Sequence, residues 1–370
     1  MKKASQTSIP SAAATMSPTE ETTLSKENVL PVARGRPAHG GDIHSFSQRT
    51  GVDLDRCIDL STGIAPWSWP VPEIPQEVWQ VLPTSTNYEQ HLLTAAAGYY
   101  ACDKLDLLPI AGSQAGIEMI PQITKPGATI AYPFPGYEEH RYAWEKSGAD
   151  MIAYRNYAEL ERLVKSSSVS HAVVINPNNP STEAYSLEQL DEIRCILDSR
   201  GGFLVVDEAF IDSSPMSSCI KHSMPSGLIV LRSVGKFFGL AGLRLGFVAA
   251  GTELLGQLKE YTGLWKISTP TLWLGSKMLS DTQWIETQTT GCKESSDSML
   301  ELVRYKFGQL EWRKTDLFVS GTGLATQVLD YQHRLAGVGI HSRCIPLDQQ
   351  YRLLRLGLAN NQGLERIANL

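Results

Sequence analysis

The stretch RSVGKFFGLAGLRLGF, Arg232–Phe247, follows one short apolar run, Leu228–Leu231, and leads into a second, Leu245–Ala249. Apolar runs of this length bounded by turn residues read as buried strands. Between them Lys236 stands three residues after Ser233 and eight before Arg244. A lysine that must act as a nucleophile needs a desolvated pocket, where its pKa falls and the free amine becomes available. A serine hydroxyl and a planar guanidinium beside it can hold a phosphate dianion. Gly235, Gly239 and Gly242 let the backbone approach such a ligand closely. A lone lysine on a glycine-rich loop would read as a solvated side chain, but this whole string does not.

Outward from that stretch, Leu107–Ala111, Ala128–Ala131, Ala172–Ile175 and Phe203–Val206 are further short apolar runs. A helix separates the last two. Ser186 and Gln189 have capping-box spacing, Leu187, Leu190, Ile193 and Leu197 recur at helical intervals, and Gly201-Gly202 stops the pattern. Apolar strands alternating with helices predict an α/β fold, a mostly parallel sheet covered on both faces. Ligands of such sheets gather beyond the carboxyl ends of the strands.

The polar clusters fall at those ends. Asp207 closes the strand Val205-Val206, 29 residues before Lys236, where a carboxylate can pair with a pyridine nitrogen and keep it protonated. By itself an aspartate there reads as a helix N-cap. Asn176-Pro177-Asn178-Asn179-Pro180 follows the strand AVVI. Two prolines fix a turn from which an amide can reach a phenolic oxygen; a bare NPNNP is only a turn.

Composition narrows the class of protein. The 370 residues are 42% hydrophobic and 19% charged, with a net charge of −6. That length predicts a large domain with a smaller one, and the absence of a basic stripe argues against a nucleic-acid partner. No apolar run approaches the ~18 residues of a membrane span. The six cysteines are scattered with no CxxC pair, which predicts free thiols, no metal site and a cytoplasmic protein. Residues 1–34, rich in Ser, Thr, Ala and Pro, predict a flexible tail. An N-terminal segment (35–75), a large domain (76–265) and a small C-terminal domain (266–370) complete the expected organisation.

Together these motifs resemble the fold-type I pyridoxal-phosphate (PLP) enzymes, the class I/II aminotransferase superfamily with the aspartate-aminotransferase-like fold. The resemblance implies that Lys236 carries the cofactor as a Schiff base and that Asp207 pairs with its pyridine nitrogen. It implies that Asn179 meets the ring 3′-oxygen and that Ser233 and Arg244 hold the phosphate. The Gly112-Ser113-Gln114 turn would add backbone N–H groups to that phosphate. Tyr137, in PGYEEH, matches the aromatic that stacks on the ring. Arg355, in LLRLGL, matches the arginine that takes the substrate carboxylate; alone it would be a surface arginine on a strand. HGGDI (His39–Ile43), DLSTGIAPWSWPVP (Asp59–Pro72), PGYEEHRYAW (Pro135–Trp144) and VVDEAF are most similar to the cobalamin-pathway L-threonine-O-3-phosphate decarboxylases. That likeness implies a small phosphorylated amino acid as substrate, with His39 as a contact to its phosphate, and a homodimer. A lone His39 would read as a surface histidine.

The chain also departs from the superfamily pattern. Leu82-Pro83 stands where a tyrosine before proline is common, Ser181-Thr182 replaces Thr-Gly, Ala65-Pro66 replaces Asn-Pro, and Phe210 occupies the place of a tyrosine. An aminotransferase acting on a phosphorylated amine such as histidinol phosphate is the alternative activity. A PLP-binding regulator would bring a helix-turn-helix domain, for which the tail has no pattern.

Overall fold

In a computed structural model the structure describes Pro37, residues 39–85 and residues 87–370. The expected tail at 1–34 lies outside the described residues. A two-residue strand, β1 (Ile58–Asp59), precedes the central sheet. That sheet contains β2 (Leu107–Ile110), β3 (Thr129–Pro133), β4 (Asp150–Tyr154), β5 (His171–Ile175), β6 (Leu204–Asp207), β7 (Leu228–Ser233) and β8 (Gly246–Ala250). Its order is β2-β8-β7-β6-β5-β3-β4. The run from β7 to β4 is parallel, and β8 lies antiparallel to both β7 and β2.

Strands β5 and β6 and all of β7 but its last residue are buried throughout, because helices cover both faces and every second side chain meets a different core. Ala172, Val174, Val206 and Val230 join one core, and Val173, Val205, Ile229 and Leu231 the other. The helix Leu187–Asp198 carries the capping box of Ser186 and Gln189 at its N-terminus. Strand β4 has no counterpart in the apolar runs. It lies at one of the two edges, and DMIAY exposes its first and fourth residues, so its apolar run MIAY is only partly buried.

A second sheet, antiparallel and in the order β12-β13-β10-β9, holds β9 (Glu311–Lys314), β10 (Phe318–Leu324), β12 (Arg343–Pro346) and β13 (Tyr351–Gly357). Its core joins Val319, Leu354 and Leu356 to Met299 and Val303 of the helix Thr282–Lys306 and to Val328 and Leu335 of the helix Ala325–Gly337. The remaining strand, β11 (Ile340–His341), pairs with β1, and Leu60 enters the same core. The early segment is thereby anchored beside the C-terminal sheet, which brings Ser61 and Thr62 to the mouth of the central one.

Candidate active site

A cavity of about 200 Å³ opens where the carboxyl ends of β5 and β6 meet the second sheet; Lys236, Asp207, Asn179, Tyr137, Arg355 and His39 line it. Strand β7 ends at Ser233, and the single helical turn Val234–Phe237 that follows raises Lys236 into this space. Its Nζ donates to the Thr62 carbonyl at 3.0 Å. Desolvation, then the cations Arg355 and Arg244, lower its pKa to about 8 against the opposing pull of Asp207 and Asp59. A free amine is therefore present near neutrality, as a nucleophile requires. Covalent capture of an aldehyde by the cofactor-free protein is expected to accelerate as pH rises through about 8 and then to level off. Stopped-flow absorbance with pyridoxal phosphate measures this, and a rate still climbing toward pH 10 would place the amine in ordinary solvent.

Asp207 is the last residue of β6 and is buried. One carboxylate oxygen accepts from the Ala209 amide at 3.0 Å and the other bonds His140 Nε2 at 2.9 Å. An ionised carboxylate has about four acceptor positions, so a protonated ring nitrogen can still be received from the cavity side. His140 had been passed over in the sequence. It lies three residues after Tyr137 in PGYEEH, one helical turn along, and that spacing was the available signal. Tyr137 itself is the N-cap of the helix Glu138–Lys146; burial, then Glu139 and Asp207, push its phenol up to about 12. It stands as a neutral ring in the cavity wall.

Asn179 and Arg355 come together: one guanidinium nitrogen donates to Asn179 Oδ1 and another to the Ser61 carbonyl. The Ser320 hydroxyl, cross-strand from Arg355, donates to the Pro180 carbonyl at 2.7 Å and ties the two loops. Arg355 is 4% exposed, its Nε has no partner, and among the described residues its hydrogen-bond acceptors are neutral oxygens. Burial, then nearby Arg343, disfavour its charge. Arg343, which the sequence reading missed, lies opposite it in register and also lines the cavity. Like charges directly across a strand pair destabilise it. An anion bound between them would ease that repulsion.

A second cradle lies at the turn after β2. Gly112 has φ +78° and ψ 158°, a conformation essentially reserved for glycine. A Cβ there would come within 2.5 Å of the Arg244 guanidinium, so turn and arginine face each other closely. Ser113 lines the cavity, and the Ser233 hydroxyl has no partner among the described residues. The Gln114 side chain turns away, to Glu139 at 2.9 Å and Glu118 at 3.1 Å, which leaves only its backbone for an anion. His39 is not free either, since its Nε2 bonds Glu139 at 2.5 Å. Gly112→Ala is expected to weaken cofactor retention about tenfold, through strain of roughly 1–3 kcal/mol and displacement of Arg244. Equilibrium dialysis of pyridoxal phosphate checks it, and unchanged retention would remove the turn from the cradle.

A nucleophilic amine, a carboxylate beyond it and two cationic clusters fit a flat pyridine aldehyde phosphate joined to an acidic substrate. The sequence profile described as aminotransferase class I and II matches residues 84–326. The chain belongs to the class I and II aminotransferase family. Within this family it is 39% identical to the threonine-phosphate decarboxylase of Pseudomonas aeruginosa, over 72% of this chain and 78% of that one. It is 36% identical to a protein of the same name from a Sinorhizobium species, over 65% and 71%. The histidinol-phosphate aminotransferase of Sinorhizobium meliloti, solved in complex with pyridoxal-5′-phosphate, superposes with a TM-score of 0.76 at 17% identity, over 94% of this chain and 97% of that one. That likeness fixes the aminotransferase fold, with its mostly parallel central sheet.

Proposed function

We propose that this protein is a PLP-dependent decarboxylase that converts L-threonine-O-3-phosphate to (R)-1-amino-2-propanol O-2-phosphate and CO₂, a step of cobalamin biosynthesis. The observation that carries this reading is Arg355, a buried cation that makes no ion pair with a carboxylate among the described residues, at the lip of the cavity with Arg343 beside it. The substrate has two anionic groups to offer them, and the likeness to two threonine-phosphate decarboxylases supports the choice.

When bound, pyridoxal phosphate supplies an electron sink for the bond that breaks at Cα. The chain's own residues do the rest. Lys236 would hold the cofactor and, with its pKa lowered to about 8, can keep or release the proton that Cα receives after CO₂ leaves. Asp207, fixed by His140 and the Ala209 amide, would hold positive charge on the ring nitrogen. Asn179 would meet the ring oxygen. Arg355, bonded to that same amide, would take the carboxylate, so cofactor and substrate are positioned by one unit. Gly112, Ser113, Gln114 (through its backbone), Ser233 and Arg244 would hold the cofactor phosphate, and Tyr137 the ring face.

Exposed Trp79, Leu82, Leu264 and Trp265 are the surface we assign to a second copy in a homodimer. Trp265 is held against Thr84 by a 3.2 Å hydrogen bond. Six free cysteines suit the cytoplasm. The test of the activity is incubation of the holoenzyme with carboxyl-labelled L-threonine-O-3-phosphate. Labelled CO₂ without added keto acid supports the decarboxylase; transamination of histidinol phosphate with no CO₂ would replace it.

A further inference from the structure

One carboxylate near the cavity has no place in the scheme above. Glu139 is only 3% exposed, in the first turn of the helix that Tyr137 caps. It does not line the cavity; it stands behind the wall, and His39 and Tyr137 stand in front. Glu139 Oε1 meets His39 Nε2 at 2.5 Å and Oε2 accepts from the Gln114 amide at 2.9 Å. The Gln114 carbonyl oxygen lies 3.4 Å from the Tyr137 hydroxyl, and the His39 ring is 5.9 Å from the Tyr137 ring. The early segment, the helix after β3 and the turn after β2 are thus tied at one buried carboxylate.

An acid at this position is unexpected on electrostatic grounds. Arg343, Arg355 and Lys236 line the same cavity, together with two acids, Asp207 and the Arg141-paired Glu138, and a third carboxylate opening into it would further offset those cations. Glu139 is withdrawn instead, and the group that faces the cavity in its place is an imidazole. With Nε2 committed to Glu139, the ring has its Nδ1 left to serve a ligand. In the charged ring both nitrogens are donors, one to the buried carboxylate and the other to an anion in the cavity.

We propose that Glu139 is a positioning residue that works through His39: it holds the imidazole as an N–H donor for the phosphate group of the substrate. This rests on the reading of a phosphorylated substrate given above. The pair forms an outer contact in which Glu139 never touches the ligand. Its contribution is to keep one imidazole orientation in place, at a position where a flexible histidine on the early segment would lose much of its binding strength to ordering.

The test is a double-mutant cycle of Glu139→Gln and His39→Gln in the holoenzyme, read as dissociation constants from the cofactor absorbance. The ligands are L-threonine-O-3-phosphate and L-threonine. Each single change is expected to weaken the phosphorylated ligand by at least about tenfold, the worth of a charge-assisted hydrogen bond, and to leave threonine within about twofold. The double variant is expected to be no weaker than His39→Gln alone. An intact cofactor band in each variant shows that the fold survives. Multiplying losses, or equal losses for both ligands, would overturn the proposal. Should the wild-type enzyme transaminate histidinol phosphate instead, the reading of the reaction fails. The same cycle on histidinol phosphate and histidinol then still decides the role of Glu139.

Discussion

Lys236→Ala is expected to leave a folded protein with no covalently held cofactor and no measurable turnover. The lysine Nζ bonds only the Thr62 carbonyl among the described residues, so its loss leaves one carbonyl to be solvated and little else. Chemistry is another matter. A positioned proton donor accounts for about 10²–10⁴ in rate, and the covalent attachment that fixes the aldehyde in register is lost as well. The noncovalent cradle of Gly112, Ser113 and Arg244 remains, so the variant should still bind pyridoxal phosphate, with the absorbance of the free aldehyde. Spectra of the purified variant, with CO₂ release measured beside them, check both statements. An unchanged cofactor band would move the attachment to another lysine.

Arg355→Leu carries the second large effect. The guanidinium is buried, spans from Asn179 to Ser61, and keeps an unpartnered Nε–H beside a second N–H on each terminal nitrogen. A carboxylate that docks there meets a planar fork already desolvated and held in orientation, which is the arrangement that makes such contacts strong. Removing one member of a buried charge pair costs about 2–5 kcal/mol, so kcat/KM should fall by roughly 30- to 5,000-fold. The loss has to be selective. The proposed product lacks the carboxylate, so its inhibition constant should change little, while substrate affinity drops. Equal weakening of substrate and product would assign Arg355 to the phosphate rather than to the carboxylate. Arg355→Lys is expected to recover only part of the loss, because an ammonium offers a point charge where the site is built for a fork.

The sequence was most legible where burial makes a run of residues unambiguous. Strands β5, β6 and β7 lie in the middle of the sheet and are covered on both faces, so HAVVI, LVVD and LIVL could hardly be anything else. Their polar terminators, Asp207 and Ser233, sit at strand ends by necessity, and Lys236 follows within one turn. Strand β4, at one edge, was missed although MIAY is an apolar run: it is half-exposed and has one β-branched residue where HAVVI has three. The second sheet was hidden because its strands are antiparallel and carry glycines and arginines within them (FVSGTGL, YRLLRLG, RCIP), so no continuous apolar run marks them. The pairing of Arg343 with Arg355 follows from register alone, and nothing in SRCIP announces it. His140 and Glu139 were within reach, since both lie in a stretch already singled out. Tertiary contact gives them their roles: His140 reaches Asp207 across 67 positions and Glu139 reaches His39 across 100. The side chain of Gln114 shows the converse. The turn that contains it does open a helix after β2, but the side chain serves Glu139 and Glu118.

All of this depends on one lysine being the point of attachment, and that can be mapped directly. Holoenzyme is treated with borohydride to fix the link between protein and cofactor, then digested and sequenced by mass spectrometry. The account predicts a single modified peptide, spanning SVGKFFGLAGLR, with the added mass on Lys236. Modification at any other lysine, or a cofactor that washes away unreduced, would contradict it.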